Sequence, residues 1–189
     1  MAKRLTLRVS LPGGQDRLRQ MILYVSKLNE NAPYFGRTKL NKILWKADFD
    51  SFRERGRPVT GRDYQRLEWG PAAKEMAPLL REMKRNNVID ERPNGFGDNV
   101  VEYRPIPLRE PDLSNFDEDD LVFVKQSVRY YWHKTGREAS DDSHGMAWRT
   151  RHDGDPMPYE SAYLSDKKLG GAQLERIQRL VNERGYQSR

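Results

Sequence analysis

Apolar positions recur at helical spacing in five stretches of the chain. Leu18, Met21, Ile22, Val25 and Leu28 follow a 3.6-residue period. They predict a helix capped by Asp16 and running to about Asn29, where Asn31-Ala32-Pro33 stops it. A second helix is predicted from Thr38, as its cap, to about Arg55, with Gly56 just past its end. At about 100° per residue, Leu40, Ile43, Leu44 and Ala47 share one face of this helix, and Trp45, Phe49 and Phe52 lie nearly opposite. Lys39, Lys42, Lys46 and Arg53 form a basic row beside the aromatics. Either this helix runs through the middle of a bundle or its second face is a docking surface; helices apolar all round are usually buried, which favours the first.

Further along, Pro71 suits the first turn of a third helix, which Pro78 either kinks or restarts. Its apolar stripe continues through Leu79, Leu80 and Met83 to Asn87. Val88-Ile89 and Val100-Val101-Glu102-Tyr103 flank the turn-rich run Pro93 to Asp98 and predict a short hairpin. Pro105, Pro107 and Pro111 mark a connector. Ser114 or Asn115 is placed to cap a fourth helix whose first turn holds Asp117, Glu118, Asp119 and Asp120 and whose core side is Leu121, Val124, Val128 and Tyr131. Thr135-Gly136 ends it and leads into a short helix around 137–143. A last helix is predicted at about 173–184, carrying Leu174, Ile177, Leu180 and Val181. The pattern describes a mainly α fold with a small β-hairpin, an α+β single-domain helical bundle: an arm over 1–14, a helical domain over 15–184 and a tail over 185–189.

Composition changes this picture in one respect. Apolar residues make up 36% of the 189 and charged residues 33%, so the core is modest and the surface heavily charged. The net charge of +6 is too small for strong self-repulsion. It is also uneven: residues 1–60 carry 13 basic against 5 acidic side chains, and residues 111–145 carry 4 against 8. A basic end attracts nucleic acid or an acidic protein patch, although it is equally the mark of an ordinary solvated surface.

Candidate chemistry is sparse. The chain has no cysteine, which removes disulfides, thiolate nucleophiles and cysteine zinc sites and leaves the cytoplasm as the expected compartment. No apolar run approaches the roughly 20 residues that span a bilayer. His144 and His152 stand among Asp141, Asp142, Asp153 and Asp155, but without metal-ligand spacing. Ser143 and His144 suggest a triad only on paper, since no G-x-S-x-G elbow is present. Neither glycine pair belongs to a phosphate loop. No catalytic residue, metal or cofactor is therefore expected, and the chain is not expected to be an enzyme. A winged-helix reading is open, with Arg92 to Tyr103 as the wing and Lys39, Lys42, Lys46 and Arg53 touching phosphates. Against it, residues 72–87 mix Glu75 and Glu82 with Lys74, Arg81, Lys84 and Arg85, a poor recognition face.

Four phrases carry a family likeness: Thr38-Lys39-Leu40-Asn41-Lys42-Ile43-Leu44-Trp45-Lys46-Ala47-Asp48 with Arg55-Gly56-Arg57-Pro58-Val59; Leu67-Glu68-Trp69-Gly70-Pro71-Ala72; Ala139-Ser140-Asp141-Asp142-Ser143-His144 with Ala147-Trp148-Arg149; and Met157-Pro158-Tyr159-Glu160-Ser161 with Leu164-Ser165-Asp166. In this order, over about residues 16–182, the chain resembles the Panacea domain of SocA-like antitoxins. Pro78 and the extra charge of 72–87 depart from the simpler helix of that family. The resemblance implies a mostly helical domain with a small β element. It also implies an antitoxin of a bacterial or phage toxin–antitoxin pair that neutralises its toxin by direct binding, and it supplies no catalytic residues. One relative instead hands its toxin to a protease. The expected partner is a cognate toxin protein; a protease, operator DNA or a second copy of the chain are the alternatives, and no membrane partner is expected. Partner contact is assigned to Lys42, Trp45, Lys46, Phe49 and Arg53, because Trp and Arg are enriched at interface hot spots. Trp69, Gly70, Pro71, His144 and Trp148 are assigned structural roles: aromatic anchors, a turn, and a histidine pairing inside it.

Overall fold

A computed structural model describes residues 11–95 and 101–164. Helix α1 (Gly14–Leu28) leads to α2 (Arg37–Arg55), then to strands β1 (Tyr64–Gln65) and β2 (Ala72–Ala73). Helix α3 (Met76–Arg85) precedes a ribbon of β3 (Ile89–Gly95) and β4 (Val101–Pro107). Helices α4 (Glu118–Tyr131), α5 (Gly136–Asp142) and α6 (Met146–Arg149) follow, then β5 (Pro156–Met157) and a 3-10 helix over Tyr159–Tyr163. The fold is mainly helical with small antiparallel sheets, as the periodicity predicts. The arm to residue 10, the last helix near 173–184 and the tail lie outside the described residues.

Helix α2 is the central helix. Leu40, Ile43, Leu44 and Ala47 on one face are buried, and so are Phe49 and Phe52 on the other. It packs against α1, α4, α5, β2, β4 and the 3-10 helix. The stripes predicted for α1 and α4 point inward: Leu18, Met21, Ile22 and Val25 from the first, and Val124, Val128 and Tyr131 from the second. Only the later half of the basic row of α2, Lys46 and Arg53, reaches the surface. Lys39 and Lys42 are 0% and 2% exposed, because three residues of helix turn them under the loops that cover α2.

Helix starts differ from expectation for local reasons. Gly13, at φ 88°, begins α1, and the Asp16 carboxylate accepts from Arg19 (3.0 Å) and Gln20 (3.2 Å) inside the first turn instead of capping it. Helix α2 begins at Arg37 behind Gly36, so Thr38 is already inside the helix. Gly36 is required by space, since a Cβ there would run into the Glu102 side chain. Asp117, not Ser114 or Asn115, caps α4 in a reciprocal box with Asp120: the Asp120 N–H donates to Asp117 at 2.8 Å. Thr135 and Glu138 form the same box on α5.

Pro71 does not open a helix. It leads into β2, which pairs with β1 (Tyr64 opposite Ala73), and β1 pairs in turn with β5 (Tyr64 opposite Met157). This three-stranded patch, ordered β2-β1-β5, is too short to show any alternation in sequence. Helix α3 starts afresh at Met76 with Pro78 in its first turn, where a missing N–H breaks no helical bond. In the β3–β4 ribbon, Ile89 faces Pro107, Glu91 faces Pro105 and Pro93 faces Tyr103. The Leu108 N–H donates to the Val88 carbonyl at 3.0 Å, which fixes the other parity of the ladder as the mutually bonded one. All three prolines therefore sit where N–H groups would point away from the partner strand. Ile89, Glu91 and Pro105 form the buried face of the ribbon, and Arg37 pairs with Glu91 there.

A buried ionic knot ties α1, the loop after α2, and α4 together. The Arg17 guanidinium donates to the Val59 carbonyl (2.9 and 2.7 Å) and to Asp120 (2.9 Å), and sits 4.2 Å over the Phe116 ring. Asp120, fully buried, also accepts from Arg55 (2.5 Å) and Arg57 (2.9 Å). Removing one partner of a buried pair leaves an uncompensated charge, at a cost of roughly 3–5 kcal/mol. Asp120→Ala is expected to lower the unfolding free energy by that amount in urea titration, and Arg17→Met in the same background to restore part of it.

Candidate functional site

Three of the four sequence phrases meet in space at the turn Leu67–Pro71, and the fourth joins the first around Asp48. The Gly70 N–H closes the turn on the Leu67 carbonyl at 2.9 Å. Three carbonyls of the turn are then captured from outside. The Trp148 indole N–H donates to Leu67 (2.8 Å), the Ser140 hydroxyl to Trp69 (2.9 Å) and the Lys42 ammonium to Pro71 (3.0 Å). Gly70 has φ +90°, and a Cβ on it would strike Ser143 Oγ and come within 2.8 Å of Lys42 Nζ. Only glycine fits that conformation at that approach.

The same arrangement explains two shifted lysines. Burial pushes the Lys42 ammonium down to about 7, and it meets a carbonyl and no carboxylate. Lys39 donates to the carbonyls of Pro33 (3.0 Å) and Trp132 (2.7 Å), and burial brings it down to about 8. Two turns along α2 from Lys42, Asp48 is fully buried. It accepts from the Thr60 N–H (2.5 Å), the Thr60 hydroxyl and the Tyr64 phenol (2.8 Å). Burial raises its carboxyl to about 6, since desolvation outweighs these hydrogen bonds. Tyr159 of the fourth phrase closes this nest, with its ring 5.4 Å from Phe52 and its hydroxyl donating to the Arg62 carbonyl at 2.6 Å.

Next to the turn, α2, α4, α6 and the 3-10 helix border a groove of about 250 Å³. Trp45, Lys46, Phe49, Arg53, Tyr130 and Met146 line it. Lys46 reaches Asp50 at 2.8 Å and lies 4.4 Å from the Tyr130 ring centre; Arg53 donates to the same Asp50 at 2.7 Å. The buried Trp45 indole N–H has no acceptor among the described residues. Ser143, the residue against Gly70, also lines the groove from a buried position behind the turn. A larger cleft of about 730 Å³ lies between the end of α1 and the β3–β4 ribbon. It holds none of the residues assigned to partner contact, and two of its cations are engaged: Arg104 with the Glu30 and Ala32 carbonyls, Lys27 with Glu110.

The structure thus brings together four of the five residues assigned to partner contact, with two corrections. Lys42 is sealed beneath the Leu67–Pro71 turn and reaches no partner, nor any phosphate. Phe49 lines only the groove floor, buried against Trp45, Tyr64 and Tyr159. Of the residues assigned structural roles, Gly70, Pro71 and Trp148 build the turn. Trp69 does so through its carbonyl alone: its indole is 61% exposed and anchors no helix. His144 stacks on Trp148, with ring centres 3.8 Å apart, and burial lowers its pKa. Ser143 donates to the Ser140 carbonyl (2.6 Å) rather than to His144, and His152 is almost wholly exposed beside Asp155. Sequence reasoning passed over Arg17, Asp120, Ser140 and the Asp48 nest. Ser140, Asp48 and Tyr159 stand inside the quoted phrases, which was the available signal.

Two outcomes follow from the buried groups. Between about pH 7 and 10.5 the folded chain has released a Lys42 proton that the unfolded chain still holds, so stability rises with pH over that range. Unfolding free energies from urea titrations at pH 7, 8 and 9 are expected to increase, by at most about 1.4 kcal/mol per pH unit for this group. Lys42→Met is expected to flatten the slope down to the Lys39 contribution. Gly70→Ala is expected to cost on the order of 1–3 kcal/mol in the same assay.

Comparison with known proteins agrees with this convergence. No curated protein and no solved structure matches the chain. The family described as antitoxin SocA-like, Panacea domain, matches residues 40–149, more than half of the chain, and that span holds Lys42, the whole Leu67–Pro71 turn, Ser140 and Trp148. With the captured turn lying inside the matched span, the chain belongs to the SocA-like Panacea antitoxin family.

Proposed function

We propose that this protein is the antitoxin of a toxin–antitoxin pair and neutralises its toxin by direct binding, without catalysis. The observation that carries the reading is the groove. It gathers Trp45, Lys46 and Arg53 with the exposed Tyr130 and Met146 beside the family's own motif residues. An aromatic floor bordered by an arginine suits an interface centre, and here Lys46 and Arg53 share the rim with Asp50 and Asp142. The rim cations pair with Asp50 in the free chain, so they are oriented before a partner arrives. An acidic toxin surface complements them and the net charge of +6. The family adds the class of partner. No helix among the described residues is long and apolar enough to cross a membrane, and we place the encounter in the cytoplasm.

The test is co-expression with the product of the open reading frame adjacent to the gene. Growth arrest by that product alone, relieved by this chain together with a stoichiometric complex on co-purification, is the expected result. Arrest that persists in the presence of the folded chain would sink the reading. Relief accompanied by disappearance of the toxin, with no complex, would assign delivery to a protease instead. Within the groove, the double reversal Lys46→Glu with Arg53→Glu is expected to raise Kd about tenfold or more, mainly through the association rate and with a weaker salt dependence.

A further inference from the structure

We propose that the cleft between the end of α1 and the β3–β4 ribbon is a binding site for a small organic phosphate, with Arg92 and Arg104 holding the phosphate group. The cleft shares no lining residue with the groove, so the inference stands apart from the proposed function. Its volume of about 730 Å³ lies in the range of small-molecule sites. Four cations line it, Lys27, Arg92, Arg104 and Arg109, against the acids Glu30 and Glu110. Lys27 takes Glu110. Arg104 and Arg109 donate to main-chain carbonyls, and Arg92 is exposed. Elsewhere in the molecule Arg17, Arg19, Arg37, Arg55, Arg57 and Arg62 each meet a carboxylate. Among the described residues, no carboxylate pairs with any of the three arginines of the cleft.

The ribbon register adds a second reason for an anion. Arg92 stands directly opposite Arg104. Directly opposed residues point to one face with Cβ atoms about 5 Å apart, and like charges so placed are destabilising. An anion between them removes the repulsion and gains charge-assisted hydrogen bonds from two guanidinium forks. The wall from α1 is unsatisfied as well. Ser26 and Asn29 line the cleft at 1% and 0% exposed. The Asn29 amide donates to the Val25 carbonyl at 2.8 Å, but Asn29 Oδ1 and Ser26 Oγ have no partner among the described residues. Buried polar atoms are rarely left so. Both are sealed from solvent, so a donor on the ligand reaches them by parting the wall, and they select the ligand rather than admit it.

The charge of the site selects the class of ligand. Two facing guanidinium groups are matched by about two negative charges. A phosphate monoester carries roughly −1.5 to −2 at pH 7 and three acceptor oxygens, whereas an Asp or Glu side chain of a protein partner carries a single charge. Ile106, Pro107 and Leu108 add an apolar strip for the organic part, and Asn29 Oδ1 accepts from a hydroxyl or amino group on it. A nucleoside monophosphate and a sugar phosphate share this chemistry. A nucleic acid strand fits less well, because its phosphates continue past the cleft, where the exposed Glu30 and Glu110 repel them.

Isothermal titration of the whole chain with adenosine monophosphate, a hexose phosphate, adenosine, inorganic phosphate and a short DNA duplex tests this. At least one of the two phosphate esters is expected to bind with Kd below about 1 mM, and about tenfold or more tighter than adenosine or inorganic phosphate. Arg92→Ala is expected to weaken that binding about tenfold or more. Arg92→Glu gives Arg104 an opposite charge across the ribbon. It is expected to abolish binding while keeping or raising the urea midpoint of unfolding, which separates a lost contact from a lost fold. The inference is overturned if neither ester binds, if the better ester binds no tighter than inorganic phosphate, or if both Arg92 variants keep wild-type affinity. Tighter binding of the duplex, lost with Arg92→Glu, also overturns it, in favour of a nucleic-acid contact.

Discussion

Lys39 and Lys42 lie one turn apart on the central helix, hidden from solvent, with their charges directed at main-chain carbonyls of loops that arrive from elsewhere in the chain. A buried ammonium cannot remain without acceptors, and a loop carbonyl lifted out of water cannot remain without a donor. Each lysine resolves both needs in one contact. Helix α2 thereby dictates where three irregular segments run: the stretch around Pro33, the end of α4 at Trp132 and the turn at Pro71. Loops usually hold their shape weakly. Here they are fastened to the central helix, and Arg17 does the same for the Val59 carbonyl from α1.

This also explains how far the sequence was legible. Helices α1, α2 and α4 carry stripes of Leu, Ile, Val and Met long enough to set a period, and the ribbon has β-branched residues on either side of a turn-rich loop. Those elements follow from patterning. The β2-β1-β5 patch does not, because two-residue strands have no period to read. The cap of α4 was misplaced because Ser114, Asn115 and Asp117 are all competent caps, and the choice falls to the Asp120 carboxylate, held by three arginines from distant segments. Lysines read as a surface row because charge is normally outside; their partners are carbonyls, which no sequence displays.

The site shows the same division. Trp45, Lys46 and Arg53 were found because aromatic and cationic residues on one helix suggest contact, and the structure gathers them around a groove. Tryptophan in a motif is more often packed than displayed, so the sequence points Trp69 to the interior, whereas its side chain is exposed. The turn that carries it is held by Ser140 and Trp148, some 70 to 80 residues away in sequence. The motif residues Lys42, Gly70, Ser140 and Trp148 thus serve a backbone shape in this chain.

The prolines of the β3–β4 ribbon carry a last implication. Pro105 and Pro107 remove consecutive outward donors from one rim, and Pro93 removes one from the other. A neighbouring polypeptide seeking to lengthen the sheet finds acceptors there but few groups to answer its own carbonyls. The hairpin is in effect sterile toward strand recruitment, which steers intermolecular contact away from generic main-chain zippering and toward surfaces that can discriminate between partners.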